Sequence, residues 1–292
     1  MNIGLECAYC VIERSDERYD KFSKDPEGKL RFMKNVFQLI ASASDGVSTP
    51  HMDKLINDLL REEFDIEDEF KDSNSYFNKL ILRMEAEIED EIEKNDDPIL
   101  AALRLAMVGN FIDFGAMSDV STDKLQELIR SSGSQPVDNE EYKLFHKDLE
   151  SAVNLVYLLD NSGEIVFDKV FIKILKRLYP DISIKAVVRG YPVYNDVTMK
   201  DALEIGLDSI VPIIDNGTAI PGTALEEINQ ETKDAIDKAD LIISKGMGNF
   251  ETLYGCSKNI YYIFLCKCDY FVKLFGVPKF TGMFLNELRP EK

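Results

Sequence analysis

The sequence predicts an α/β protein: a mostly parallel sheet with helices on both faces, preceded by an all-helical N-terminal region. Three observations carry this. From about Leu5 to Leu149 apolar residues recur at helical spacing almost throughout. Beyond that point short strand-forming runs, near Val153–Leu159, Ser183–Val188, Ser209–Ile213, Leu241–Ser244 and Ile260–Leu265, alternate with helical segments, the pattern of parallel βαβ units. The first of these runs, Leu155-Val156-Tyr157-Leu158-Leu159, ends in Asp160-Asn161-Ser162-Gly163-Glu164, and a helical pattern (Ile165, Val166, Val170, Ile174, Leu175) begins at once. That is a strand, a tight turn and a helix.

In the helical region, Thr49-Pro50 places a cap residue before a proline at the first helical position, and Ser121-Thr122-Asp123 precedes Leu125 and Leu128 as a second helix start. Phe70 to Asp97 reads as a long helical stretch whose acidic part, Glu85 to Glu91, is a solvated face. The segment Arg130 to Glu140, with Ser131-Ser132-Gly133-Ser134-Gln135-Pro136, is the best linker. It divides a helical region, 1–135, from an α/β region, 136–292.

The 34 basic and 53 acidic residues of this 292-residue chain give a net charge of -19, which argues against nucleic-acid or anionic-membrane partners, since both need a positive footprint. A small phosphorylated substrate stays compatible if its site carries local positive charge. No signal pattern and no apolar run of membrane-spanning length is present, so a cytoplasmic location is expected. Five cysteines, an odd number in a large chain, suit reduced thiols.

Parallel sheets bind ligands at the carboxyl ends of their strands. Three such ends are polar here: Asp160-Asn161 after the first run, Arg189 with Asn195-Asp196 after the second, and Lys245-Gly246-Met247-Gly248-Asn249 after the fourth. Asp160, Asn161 and Asp196 are hard oxygen donors of the kind that hold Mg2+ or Mn2+. Arg189 and Lys245 suit phosphate oxygens through charge-assisted hydrogen bonds. A divalent ion with these two cations and two aspartates leaves a local charge of about +2, or about +1 if Glu164 is ionised there. Each motif alone is ordinary turn or cap chemistry, and Gly246-x-Gly248 is no dinucleotide fingerprint. Their coincidence at three strand ends is the signal.

The combination Asp160-Asn161-x-Gly163-Glu164, Arg189-x-x-Pro192-Val193-x-Asn195-Asp196-x-Thr198 and Lys245-Gly246-x-Gly248-Asn249-x-Glu251 resembles the DUF89 family of metal-dependent damage-control phosphatases. The resemblance extends to Cys7-x-x-Cys10, Gly109-Asn110-x-Ile112-Asp113 and Lys267-Cys268, and it is closest to the compact, microbial-type branch. It implies a Rossmann-like α/β/α core, a divalent metal on Asp160, Asn161 and Asp196, and hydrolysis of small phosphorylated metabolites such as sugar phosphates or damaged side products. Mg2+ or Mn2+ is expected, with Co2+ and Ni2+ as further candidates. Carried over residue by residue, Asp160, Glu164, Lys245 and Arg189 are catalytic, while Ser162, Gly163, Asn195, Asn249 and, from the helical side, Asn110 and Asp113 join Lys245 in binding substrate.

The expected nucleophile is a metal-activated water. Direct attack by Asp160 is the competitor, but aspartyl-phosphate enzymes place a second Asp two residues on, where this chain has Ser162. Glu164 serves as acid or base, or caps the following helix. Cys7, Cys10 and Cys268 form a second, soft-metal site if the termini meet; structural and redox roles stay open beside it. His51 and His146 lie far from the motifs and carry no catalytic role. Two alternatives stand beside the phosphatase: a carboxyl methyltransferase using S-adenosylmethionine, which the absence of a glycine-rich turn after the first strand disfavours, and a metal- or metabolite-binding protein without turnover. The oligomeric state is open.

Overall fold

The structure, a computed structural model, describes residues 1, 3–44, 46–109 and 122–289. Helices α1 (Leu5–Phe22), α2 (Pro26–Ser42) and α3 (Thr49–Phe64) enclose an apolar cluster of Val11, Tyr19, Phe32, Val36, Met52, Ile56 and Leu60. Asp25 caps α2 by accepting from the amides of Glu27 and Gly28, with Pro26 in the first turn. The helix start expected at Thr49-Pro50 is present, with Ser48 in the cap position.

The long stretch expected from 70 to 97 is two helices, α4 (Lys71–Leu82) and α5 (Glu85–Glu93). They turn against each other so that Ile81, Ile88 and Ile92 all reach the core. Helix α6 (Pro98–Gly109) is apolar on most sides and is buried accordingly. Helices α7 (Thr122–Ser132) and α8 (Asn139–Ser151) follow; Asp138 caps α8 by accepting from the Glu141 amide at 2.8 Å.

The sheet comprises β1 (Asn154–Leu158), β2 (Ser183–Val188), β3 (Ile213–Asp215), β4 (Leu241–Lys245), β5 (Ile260–Leu265) and β6 (Gly282–Asn286), in the order β3-β2-β1-β4-β5-β6. All pairings are parallel except that of β5 with the edge strand β6. The crossovers carry α9 (Glu164–Leu178), α10 (Met199–Glu204), α11 (Gln230–Lys238) and α12 (Met247–Leu253), and α13 (Asp269–Phe275) leads to β6. The expected third strand is displaced: residues 207–209 form a 3-10 turn, and the strand begins at Ile213. Leu207 and Val211 are buried on either side of the exposed Asp208 and Ser209, which accounts for their apolar character.

Alternation along the strands assigns the two faces. Leu155, Tyr157, Ile184, Ala186, Leu241 and Ile243 face α4, α5, α6 and α9, in a core continuous with Ile81, Leu103 and Phe145 of the helical region. Val156, Leu158, Ile242, Tyr262 and Phe264 face α11, α12 and α13. The chain winds outward from β1 to β3 and then crosses back to β4 beside β1. The carboxyl ends of β1 and β4 therefore flank a topological switch point, the position at which open α/β sheets take their ligands. No helix of the described residues is long and apolar enough to cross a membrane.

Candidate metal and phosphate site

Asp160, Asn161 and Asp196 meet at this switch point. Asn161 and Asp196 form an isolated antiparallel bridge, and the Val197 amide donates to Asp160 O at 2.8 Å, so the loops after β1 and β2 are stitched together at the backbone. Asp160 and Asp196 are 8% and 4% exposed, so both carboxylates are buried at this strand edge. Burial first, then Asp196 and Glu164, push the Asp160 carboxyl well above the usual carboxylate range. Gly246, at φ 81, is what lets Asp160 sit there: a Cβ on residue 246 would lie 1.9 Å from Asp160 Oδ2.

Arg189 lies behind the two aspartates, 1% exposed. Its Nε donates to Asp196 Oδ2 at 2.6 Å, Nη2 is 3.5 Å from Asp160 Oδ1, and Nη1 donates to Asn249 Oδ1 at 3.3 Å. The guanidinium therefore braces both carboxylates and leaves Nη2 without a hydrogen-bond partner. Asn249, fully buried, accepts also from Thr223 and donates to the carbonyls of Leu159 and Lys245, holding the loop after β4 against β1.

Lys245 occupies a different place from the one its residue type suggested. Its ammonium is fully buried and donates to Glu164 Oε1 at 2.5 Å, Asp168 Oδ1 at 2.6 Å and Ala106 O at 2.9 Å. All three of its N–H groups are thus occupied on the α6/α9 face of the sheet, so it meets the site through Glu164. The other oxygen of Glu164 accepts from Asn161 Nδ2 at 3.0 Å, and Asn161 Nδ2 also donates to Asp160 Oδ2 at 2.6 Å. A buried chain of contacts therefore runs from Tyr157 through Asp168, Lys245 and Glu164 to Asn161.

Among the expected substrate contacts, the Ser162 hydroxyl and Asn195 Nδ2 are buried without hydrogen-bond partners. The Gly163 amide, at φ 76, donates to Asn78 Oδ1 of α4 at 2.6 Å. Asn78 is fully buried, and nothing in its helical sequence context marks it as a site residue. A second residue outside the expected set is Lys267, after β5, whose charge acts on Asp160 to favour its ionised form. Asn110 and Asp113 lie outside the described residues.

Cys7, Cys10 and Cys268 are free thiols, and Cys7 lies close enough to Cys268 to act on it. Cys10 is exposed, Cys7 and Cys268 are half-buried, and burial raises the Cys268 thiol, with Glu251 and Cys7 adding to the effect. Among the described residues no group of three His, Cys, Asp and Glu side chains is arranged to hold a metal ion. The Asp160 and Asp196 pair has an amide, Asn161, as its third donor. His51 bridges Ser48 and Glu227, and His146 bonds the Tyr179 hydroxyl, both away from the site.

Similar proteins converge on one family. The model of the damage-control phosphatase ARMT1-like domain matches residues 3–282. A damage-control phosphatase of Archaeoglobus fulgidus is 31% identical over 289 residues, 95% of this chain and 96% of that protein. An uncharacterized protein of Methanocaldococcus jannaschii is 32% identical over 289 residues, 95% of this chain and 93% of that protein. The crystal structure of a DUF89 family protein from Pyrococcus horikoshii superposes with a TM-score of 0.84 at 26% identity, covering 98% of this chain and 99% of the other.

Proposed function

The chain belongs to the ARMT1-like damage-control phosphatase family, and on that premise we propose that it hydrolyses small phosphorylated metabolites, sugar phosphates or side-product phosphometabolites among them, with a divalent cation on Asp160, Asn161 and Asp196. The observation that carries the reading is the pairing, at one strand edge, of two buried carboxylates braced by the Arg189 guanidinium with two buried donors that lack hydrogen-bond partners, Ser162 Oγ and Asn195 Nδ2. Buried polar groups are nearly always satisfied, and exceptions mark where a ligand belongs. The acceptors suit a cation and the donors suit an anion.

The residues fit a hard cation. Two carboxylates and one amide oxygen leave positions for water and substrate oxygens, as Mg2+ and Mn2+ require. Positive charge there would relieve the repulsion and burial that raise Asp160. When bound, such an ion supplies Lewis-acid stabilisation of phosphoryl charge and acidifies water.

The chain's own side chains do the rest. Arg189 fixes the spacing of Asp160 and Asp196. Lys245, neutralised by Asp168 and Glu164, holds Glu164 against Asn161 and so orients the amide; Glu164 acts here as a positioning group. Ser162 and Asn195 donate to phosphate oxygens, and Lys267 adds positive charge at the site. Water is the assigned nucleophile, because Ser162 stands where an acid–base partner for attack by Asp160 would be needed.

The test is phosphate release from a panel of sugar phosphates and other phosphometabolites. Metal-stripped protein is refilled with Mg2+, Mn2+, Co2+ or Ni2+, and Asp160→Asn is run in parallel. Metal-dependent release that disappears in the variant supports the reading. Absence of release with every metal, or equal release by both proteins, overturns it.

A further inference from the structure

Tyr194 has a left-handed backbone, φ 48, in the loop that carries Asn195 and Asp196. The Asp196 amide donates to Val193 O at 3.1 Å, so Tyr194 and Asn195 are the central residues of a tight turn. The first central position of a turn with positive φ normally holds Gly, Asn or Asp. A bulky side chain there costs about 1–2 kcal/mol and persists only when its surroundings dictate it.

Here the surroundings come from the α1–α3 unit. The Tyr194 ring lies under two guanidinium groups, Arg18 at 4.8 Å and Arg14 at 5.8 Å from its centroid. Its hydroxyl faces the Asp53 carboxylate, which receives Arg14 Nη2 at 2.9 and 3.1 Å. Arg18, itself buried, is held by Asn57 at 2.9 Å and Glu69 at 2.6 Å. Arg61 reaches Pro192 O at 3.4 Å. Cation–π contacts, worth about 0.5–1 kcal/mol each where partly exposed, and charge-assisted bonds together suffice to offset the backbone cost.

We infer that Tyr194 is a positioning residue through which the α1–α3 unit sets Asp196 and thereby the affinity of the site for its cation. The inference rests on the metal-site reading above. Arg189 fixes the Asp196 carboxylate from the sheet side, and Tyr194 fixes its backbone from the helical side. A merely structural Tyr194 would affect the stability of the chain and leave cation affinity alone.

The experiment titrates Mn2+ alone into the metal-stripped full-length chain by calorimetry, for wild type, Tyr194→Gly and Tyr194→Phe, with thermal unfolding of each metal-free protein alongside. Tyr194→Gly removes the ring but tolerates the left-handed backbone, so the expected result is Mn2+ affinity lower by about 10- to 100-fold, the range for residues that support metal ligands, whatever the change in melting temperature. Tyr194→Phe keeps the ring under both guanidinium groups, removes the hydroxyl that faces Asp53, and should lower affinity by less than about tenfold, yet measurably. Wild-type affinity in Tyr194→Gly overturns the inference; should that variant fail to fold, wild-type affinity in Tyr194→Phe does so. Absence of Mn2+ binding by the wild-type chain overturns the metal-site reading itself.

Discussion

Lys245 Nζ lies 2.5 Å from Glu164 Oε1, and both side chains are fully buried. Asp168 Oδ1 is 2.6 Å from the same ammonium and also accepts from the Tyr157 hydroxyl at 2.7 Å, so one cation serves two carboxylates in the interior. Burial works to lower the Lys245 ammonium, but Asp168 and Glu164 outweigh it and hold its pKa above the ordinary value. Burial raises Asp168 to about 6 despite Lys245.

Removing that cation strands both acids. Lys245→Met is expected to cost about 3–5 kcal/mol of stability, the usual penalty for breaking a buried ion pair from one side. Urea denaturation measures it. Adding Glu164→Gln should return part of the loss, because one of the two stranded charges is then neutral; a double variant no more stable than Lys245→Met would show that Glu164 does not depend on Lys245.

Asp160→Asn is expected to abolish metal-dependent phosphate release while metal-free stability stays level or rises. The carboxylate it removes is disfavoured by burial and by its neighbours Asp196 and Glu164. A phosphate-release assay beside a thermal melt separates the two effects, and a large drop in melting temperature would contradict the electrostatic argument.

Gly246→Ala should disable the site by displacing Asp160, since the added Cβ falls 1.9 Å from Oδ2 of that side chain. The left-handed backbone adds about 1–2 kcal/mol of strain. Denaturant midpoint and phosphate release should both fall, and substitution at the neighbouring Met247 should leave release near wild type.

Glu251 provides a pH dependence of known sign. Burial, with Asp53 adding, raises its carboxyl to about 7, against the lowering by Thr49 and Arg14. A raised acid binds its proton more tightly folded than unfolded, so its ionisation removes stability as pH rises from about 4.5 to about 7. Glu251→Gln should therefore gain on wild type by about 2–3 kcal/mol between pH 5 and pH 8, read as a flatter stability curve.

Lys267→Ala should lower kcat/KM by about tenfold, or about 1.4 kcal/mol, mostly through KM if its charge acts on the bound phosphate. Kinetics at saturating Mn2+ measure it; an unchanged KM would remove Lys267 from the substrate contacts.

Much of this architecture was legible in advance because strand-forming runs and their polar ends are local signals. Residues 183–188 and 260–265 are strands as read, and the runs around Tyr157 and Ile243 differ only at their ends. Strand β6 escaped because an edge strand with half-buried Met283 and Leu285 shows no clear apolar alternation. At the site, residue type identified Lys245 and Arg189 as cations at strand ends but did not say where their side chains go. Parity did carry a signal for Lys245: it sits two residues after Ile243 and four after Leu241, both on the α6/α9 face, so it points into the core. Asn78 carried none, because a buried polar residue on a helix is indistinguishable from a surface one until the tertiary contacts exist.

That last contact constrains any exchange of parts within the family. The Gly163 amide is satisfied by Asn78 of α4, across 85 positions of sequence, so the turn that presents Asp160 and Asn161 is completed by a residue from the helical half. A chimera that grafts another protein's helical half onto this sheet, as one would attempt in order to transplant substrate preference, inherits an unpaired turn unless the donor brings an acceptor to the same spot.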